Sequence, residues 1–370
     1  MESYLTDLLA ALAVVLNGVP QGLLAISFGF AAFPTALAFL VGAAGSVAFN
    51  SVATISFQAE TIALAGSMGK TLKERLTLVF WGGLFLLFPS MLGLNEKIVE
   101  AIGPVIVSSM MAGVGVMLAY ISIDMLNSEK YSGSVSMVVA LATWFLTFDL
   151  AKTIIISVLA ATVVYNFLKK TGHAEPEPLV VNEDRERFTT GNIYFKIWEH
   201  PRILVSALAI ACLNIGANIS FGKITGSIAN TNANIDHLAV YSSLADMLSS
   251  FFGGGPVEAI ISGTATAPHP VMASVMMMLI MAAILLFKLL PTIGKYVHSS
   301  AIAGFLFVLG VFVTFISNIQ GAIAQCPAAQ GPFGFSPWGM AVGATVIVSA
   351  RWNPFYGLLA GVAIKIVFGL

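Results

Sequence analysis

Two glutamates, Glu60 and Glu258, lie in apolar stretches where a bare charge has no water to hold it. Glu258 follows Phe251-Phe252-Gly253-Gly254-Gly255-Pro256 and precedes Ser262-Gly263-Thr264. The glycines permit close backbone approach and Pro256 suits a first helical turn, so this pattern predicts Glu258 at a helix start. Glu60, in Ser56-Phe57-Gln58-Ala59-Glu60-Thr61, occupies a similar short segment, and Gln58 beside it offers both a donor and an acceptor. Two readings stay open for each acid. One is a helix cap satisfied by nearby amides; the other is a group that binds a polar solute and exchanges a proton during transport. Asn17 and Asn214 stand at matched places in the first apolar run of each half, with Asn218 one turn beyond Asn214. An amide in mid-helix is either interhelical glue or a ligand contact.

Other polar residues promise less chemistry. Asp149 and Lys152 are spaced to pair across one turn. Asp246 is placed to tie its helix to the core by hydrogen bonds. His237, His269 and His298 share no metal-ligand spacing and read as loop or helix-end residues. Cys212 and Cys326 are too few for a disulfide framework, Cys212 reading as a small packing residue. The run Met276-Met277-Met278, with Met272 a turn earlier, reads as packing. No zinc-protease, nucleophile-elbow, phosphate-loop or dinucleotide fingerprint is present, which excludes the enzyme and ATP-driven classes those motifs serve. No cofactor or metal is expected beyond a coupling ion, H+ or Na+.

The elements that must position these residues are membrane spans. Only 9% of the 370 residues are charged and 58% are hydrophobic. A soluble surface needs about 25% charge, so the solvent here is lipid. The first 30 residues lack a basic leader and a cleavage site and read as the first helix. Seven apolar runs, at 7–30, 33–50, 53–66, 76–94, 102–124, 133–148 and 151–168, precede a polar linker over 169–202. Seven more follow it, at 203–225, 237–252, 256–267, 271–290, 298–318, 336–350 and 353–369. The runs at 53–66 and 256–267 are too short to span. The linker's six acids match its six bases, and with a net charge of −1 nothing suggests a nucleic-acid partner.

The halves, 1–168 and 203–370, echo one another. Ala11-Leu12-Ala13, Asn17 and Ile26-Ser27-Phe28-Gly29 return as Ala207-Leu208-Ala209, Asn214 and Ile219-Ser220-Phe221-Gly222. Glu60-Thr61-Ile62 returns as Glu258-Ala259-Ile260, and Ser108-Ser109 with Ala112-Gly113 as Ser299-Ser300 with Ala303-Gly304. An odd number of spans per repeat inverts the second copy in the membrane, which is the plan of many secondary transporters.

The stretch Ala245-Asp246-Met247-Leu248-Ser249-Ser250-Phe251-Phe252-Gly253-Gly254-Gly255-Pro256 resembles the nucleobase–cation symporter 2 family, the nucleobase–ascorbate and xanthine–uracil permeases. Ile102-Gly103-Pro104-Val105, with Gly113 and Gly115, resembles that family's fifth helix. The resemblance implies an all-α fold of 14 segments in a 7+7 inverted repeat. Segments 1–4 and 8–11 would form a core domain and segments 5–7 and 12–14 a gate, with short strands before helices 3 and 10. It implies that Glu258 matches the glutamate of helix 10 that holds the base. At helix 8 the family carries an acid, whereas this chain has Leu213-Asn214-Ile215-Gly216. Glu60 then supplies the second carboxylate, or coupling and substrate differ from the family pattern.

The expected function is therefore proton- or sodium-coupled symport of a purine or pyrimidine base across the cell (inner) membrane. Glu258, Glu60, Asn214, Asn17 and Gln58 would contact the solute, and Glu258 and Glu60 would couple it to the ion. The alternatives are an anion carrier of the sulfate or bicarbonate type on the same fold, and a membrane scaffold that transports nothing. A homodimer through the gate is a further implication of the resemblance. Orientation is read in two ways. Alternating the loops puts 13 of the 17 Lys and Arg on the linker side, which the positive-inside rule makes cytoplasmic. The resemblance implies the reverse, with both termini in the cytoplasm.

Overall fold

Apolar runs of this length fold as helices because a bilayer offers the backbone no hydrogen-bond partners of its own. The computed structural model describes residues 2–173, 186–326 and 336–370. Its first half runs α1 (Glu2–Ser27), α2 (Ala32–Ala48), β1 (Thr54–Ser56), α3 (Ala59–Met68), α4 (Leu72–Met91), α5 (Asn95–Ile102), α6 (Pro104–Ser128), α7 (Lys130–Thr147) and α8 (Leu150–Lys170). The second half repeats the order: α9 (Pro201–Ile228), α10 (Ile235–Phe251), β2 (Glu258–Ile260), a 3-10 turn (Gly263–Thr266), α11 (Pro270–Leu286) and α12 (Leu289–Gly294). A single continuous span follows, α13 (Ser300–Val308), a π-helical stretch (Leu309–Ile316) and α14 (Ser317–Ala324), and then α15 (Pro337–Arg351) and α16 (Pro354–Phe368). All fourteen apolar runs fall on these segments. The chain is an all-helical, multi-pass membrane protein with a strand in each half.

Packing follows the repeat. The contact of α4 with α10 is mirrored by that of α11 with α2, and α7 with α8 by α15 with α16. One bundle gathers α1 to α4 with α9 to α11. The other gathers α6 to α8 with α13 to α16, and there Gly115 and Gly310 let two backbones meet: a Cβ on either would lie within 2.7 Å of the other's carbonyl oxygen. Two short helices were not foreseen. The break between α4 and α5 bends the chain by 100°, and α12 takes the matching place in the second half.

The linker is more than a spacer. Glu186 accepts hydrogen bonds from the amides of Ala32 (2.9 Å) and Phe33 (2.6 Å), capping α2, which has no cap of its own. Phe188 packs between Phe33 and Phe252, and Ile193 and Ile197 are buried. Residues 186–199 thus strap the first bundle at its linker end. Burial pushes the Glu186 carboxyl above its ordinary pKa, against the pull of the two amides and of Lys288. A docked strap then holds a proton more tightly than a free one. Docking should weaken as pH rises from about 4.5, the ordinary glutamate value, through the raised one. Trypsin cleavage after Arg187 should quicken over that window, and Glu186→Gln should flatten the dependence.

The helix directions also fix which charges share a face. Among the described residues, twelve of sixteen Lys and Arg lie at the linker end, and only Lys97, Lys152, Lys223 and Lys365 lie at the other. Contacts agree: Lys223 pairs with Glu96 (2.8 Å) and Lys365 reaches the Ala101 carbonyl (2.8 Å) at that far end. The positive-inside rule would put the linker face in the cytoplasm, the first of the two orientations read from the sequence. In a background free of cysteine, Thr171→Cys should react with an impermeant maleimide only after permeabilisation, and Glu100→Cys in intact cells. The opposite labelling pattern would reverse the orientation.

Candidate solute site at the crossing strands

The two broken segments meet at the centre of the first bundle. β1 and β2 pair antiparallel, with Thr54 opposite Ile260, Ile55 opposite Ala259 and Ser56 opposite Glu258. Their backbone groups satisfy one another where lipid and helix cannot. After β1 the chain enters α3, ten residues without proline. After β2, Gly263, Pro268 and Pro270 allow only the turn at Gly263–Thr266.

This corrects two expectations. Glu258 does not open a helix; it opens strand β2, and Ser262 is the residue that caps the short turn, accepting from the Thr264 amide (3.3 Å). Glu60 and Glu258 are also not equivalent. Aligning strand with strand and turn with helix puts Thr54 opposite Glu258 in the repeat and Thr264 opposite Glu60. Those two threonines touch, Oγ1 to Oγ1, at 3.0 Å.

Glu258 belongs to a polar network that reaches Thr61, the residue next to Glu60 in the chain. Asn214 donates from Nδ2 to Glu258 Oε1, and its Oδ1 lies 3.0 Å from Thr61 Oγ1. Thr61 Oγ1 also lies 2.7 Å from Gln58 Oε1, and its single proton serves one acceptor at a time. Asp246 accepts from the Val257 amide (2.8 Å), as its predicted tying role requires, and its carboxyl also interacts with that of Glu258. Asn218 donates to Ser242 (3.3 Å), which bonds Glu258 in turn. On the other side of Thr61, Glu60 bonds its own backbone amide at the start of α3 and accepts from Thr314 Oγ1 (3.1 Å) of the π-helical stretch. That bond joins the two bundles.

All of these side chains are buried, Glu258 and Asn214 fully. Gln58 Nε2 and Asn218 Oδ1 meet no partner among the described residues, and each unmet buried polar atom costs about 1–3 kcal/mol. Asn17 is not drawn in: its Oδ1 is buried without a partner. Gln21, one turn on, accepts from the Ala59 amide instead (3.0 Å).

Sequence reasoning missed Thr61, Ser242, Gln21 and Thr314. Thr314 left one signal, as the lone polar side chain in the apolar run 301–316. The histidines are helix-end and loop residues as expected, and Asp149 pairs with Lys152 (3.1 Å). His269 also binds the buried Asp7 (2.8 Å), pinning α1 to the start of α11.

No protein-family model matches this sequence, and no curated protein is similar to it in sequence. Solved structures do share its fold. The transmembrane domain of the cyanobacterial bicarbonate transporter BicA superposes with a TM-score of 0.62 at 16% identity, covering 96% of this chain and 97% of that one. SLC26A9 gives 0.68 at 13% identity over 99% of this chain and 65% of its own. Murine Slc26a9, an anion transporter solved in an inward-facing state, gives 0.67 at 14% identity over 99% of this chain and 68% of its own. The fold implied by the sequence resemblance is found, although the solved structures that carry it here are anion transporters.

The network has a structural consequence that can be measured. Asn214→Ala takes the Asn214 donor from Glu258 Oε1 while Thr61 keeps Gln58, so thermal unfolding of the purified protein should show a loss of about 1–3 kcal/mol. Asn214→Gln should recover part of it.

Proposed function

We propose that this protein is a secondary active transporter working by alternating access. The bundle of α1 to α4 and α9 to α11 would act as the core domain and that of α6 to α8 and α13 to α16 as the gate. The solute is a polar molecule rich in N–H donors, a purine or pyrimidine base being the class that fits, and H+ or Na+ drives it. Glu258 accepts from the solute, with Asn214, Gln58 and Glu60 completing the site and Asp246 holding the Glu258 segment in place.

One observation carries the choice of solute. The buried network offers carboxylate and amide oxygens, with no lysine or arginine among its members. The amides at the start of α3, which would suit an anion, face Glu60 and Gln21 of the protein itself. A helix start filled by its own carboxylate repels a second negative charge. The anion reading is supported by a different observation, the likeness in fold to BicA and SLC26A9, and remains the second reading.

Uptake into proteoliposomes discriminates between them. With labelled nucleobases, sulfate and bicarbonate offered with and without pH and sodium gradients, the expected result is gradient-driven uptake of a base. Glu258→Gln replaces a carboxylate acceptor by an amide. Losing a charge-assisted hydrogen bond costs about 1.5–3 kcal/mol, so uptake should fall roughly ten- to a hundredfold while folding is kept. Undiminished base uptake by Glu258→Gln would remove Glu258 from the site. Uptake of anions alone would replace the first reading by the second, and transport of neither would leave a scaffold.

A further inference from the structure

At the linker end, a cavity of about 610 Å³ lies between the two bundles. Its walls come from both. Arg202 and Ser206 belong to α9 of the first bundle; Met117 of α6, Arg351 at the end of α15, and Trp352 and Tyr356 beyond it belong to the second. No acid lines it. Arg202 donates from Nη2 to the Met68 carbonyl (2.7 Å) and stands 3.8 Å from Glu74, so part of its guanidinium is committed. Arg351 is exposed and takes part in no hydrogen bond or ion pair among the described residues.

Two guanidinium groups among the lining residues, with no acid there, set a positive field in the cavity that favours an anion. The guanidinium is a rigid planar fork that matches phosphate oxygens in pairs. Phosphate has enough oxygens to serve both forks. The first-turn amides of α9, which no side chain caps, point to the same end. Trp352 and Tyr356 are exposed at 62% and 43% and offer flat faces to whatever carries the phosphate.

We propose that this cavity binds a phosphate group, clamped between Arg202 and Arg351, carried either by an anionic phospholipid of that leaflet or by a soluble phosphate. Because the two arginines stand on different bundles, the bound group ties core to gate and favours the arrangement in which the walls are this close. The proposal is independent of which solute occupies the central site.

The test uses the full chain in nanodiscs. In discs of neutral phosphatidylcholine, inorganic phosphate is titrated and thermal unfolding followed; in a second series, phosphatidylglycerol replaces part of the neutral lipid. Stabilisation by inorganic phosphate supports the site and names a soluble ligand. Stabilisation by phosphatidylglycerol alone supports it and names the headgroup. In either case Arg351→Gln should weaken the response about tenfold, the loss of roughly one charge-assisted hydrogen bond. Arg351 is exposed and unpaired, so this variant should fold even if Arg202→Gln, which breaks the bond to Met68, does not. No stabilisation in either series, or an equal response from Arg351→Gln, overturns the proposal.

Discussion

The antiparallel pairing of β1 with β2 is the interaction on which the other features depend. Two chain segments must stop being helical at the centre of a membrane protein, and each stop strands amides and carbonyls that lipid cannot satisfy. Three residue pairs of ladder solve that for both at once. The pairing then brings Glu258 under α9 and α10, within reach of Asn214 and Asp246, and sets the start of α3 beside them. Two repeats that separated at this point would leave two unsatisfied half-spans, so the strands also hold the inverted halves together.

Much of this architecture is legible in the sequence, because lipid makes the signal coarse and strong. Apolar runs of span length, one polar linker and repeated motifs are enough to place all fourteen segments and to pick out the two broken ones. The amphipathic α5 and the six-residue α12 escape such a reading because they are too short to register as spans. The site is legible by residue and not by geometry. Glu258, Gln58 and Asn214 lie in one hydrogen-bonded cluster through Thr61, while Glu60 bonds Thr314, and the helix expected at Glu258 fails. A glycine and two prolines within eight residues truncate it, and short β-branched runs take strand or helix equally well until a partner strand is known. Thr61, Ser242 and Thr314 were unreadable for a different reason: serines and threonines are common in membrane helices, and only contacts separate the few that matter.

The inequality of the two halves bears on mechanism. In the first half a ten-residue helix follows the strand and carries its acid in the first turn; in the second a single turn follows, and the acid has moved back into the strand. The symmetric pair at this level is Thr54 with Glu258 and Glu60 with Thr264. One acid therefore sits in the strand layer, held by Asn214, and the other in the helix layer, held by Thr314.

Glu60 differs from Glu258 in one further way. Glu258 is held wholly by residues of its own bundle, Asn214, Ser242 and Asp246, whereas Glu60 accepts from Thr314 across the boundary between bundles. Thr314 lies in a π-helical stretch, where the wider turn displaces side chains from the register of an α-helix, and such stretches recur at functional sites. If the proposed alternating access slides one bundle against the other, the Thr314 bond would break while the Glu258 contacts stay whole. A buried carboxylate that loses its donor must find another, and a solute N–H or a coupling ion can supply it. In the proposed mechanism the bond from Thr314 to Glu60 would therefore be the contact at this site that movement of the bundles exchanges for one to the solute or the ion.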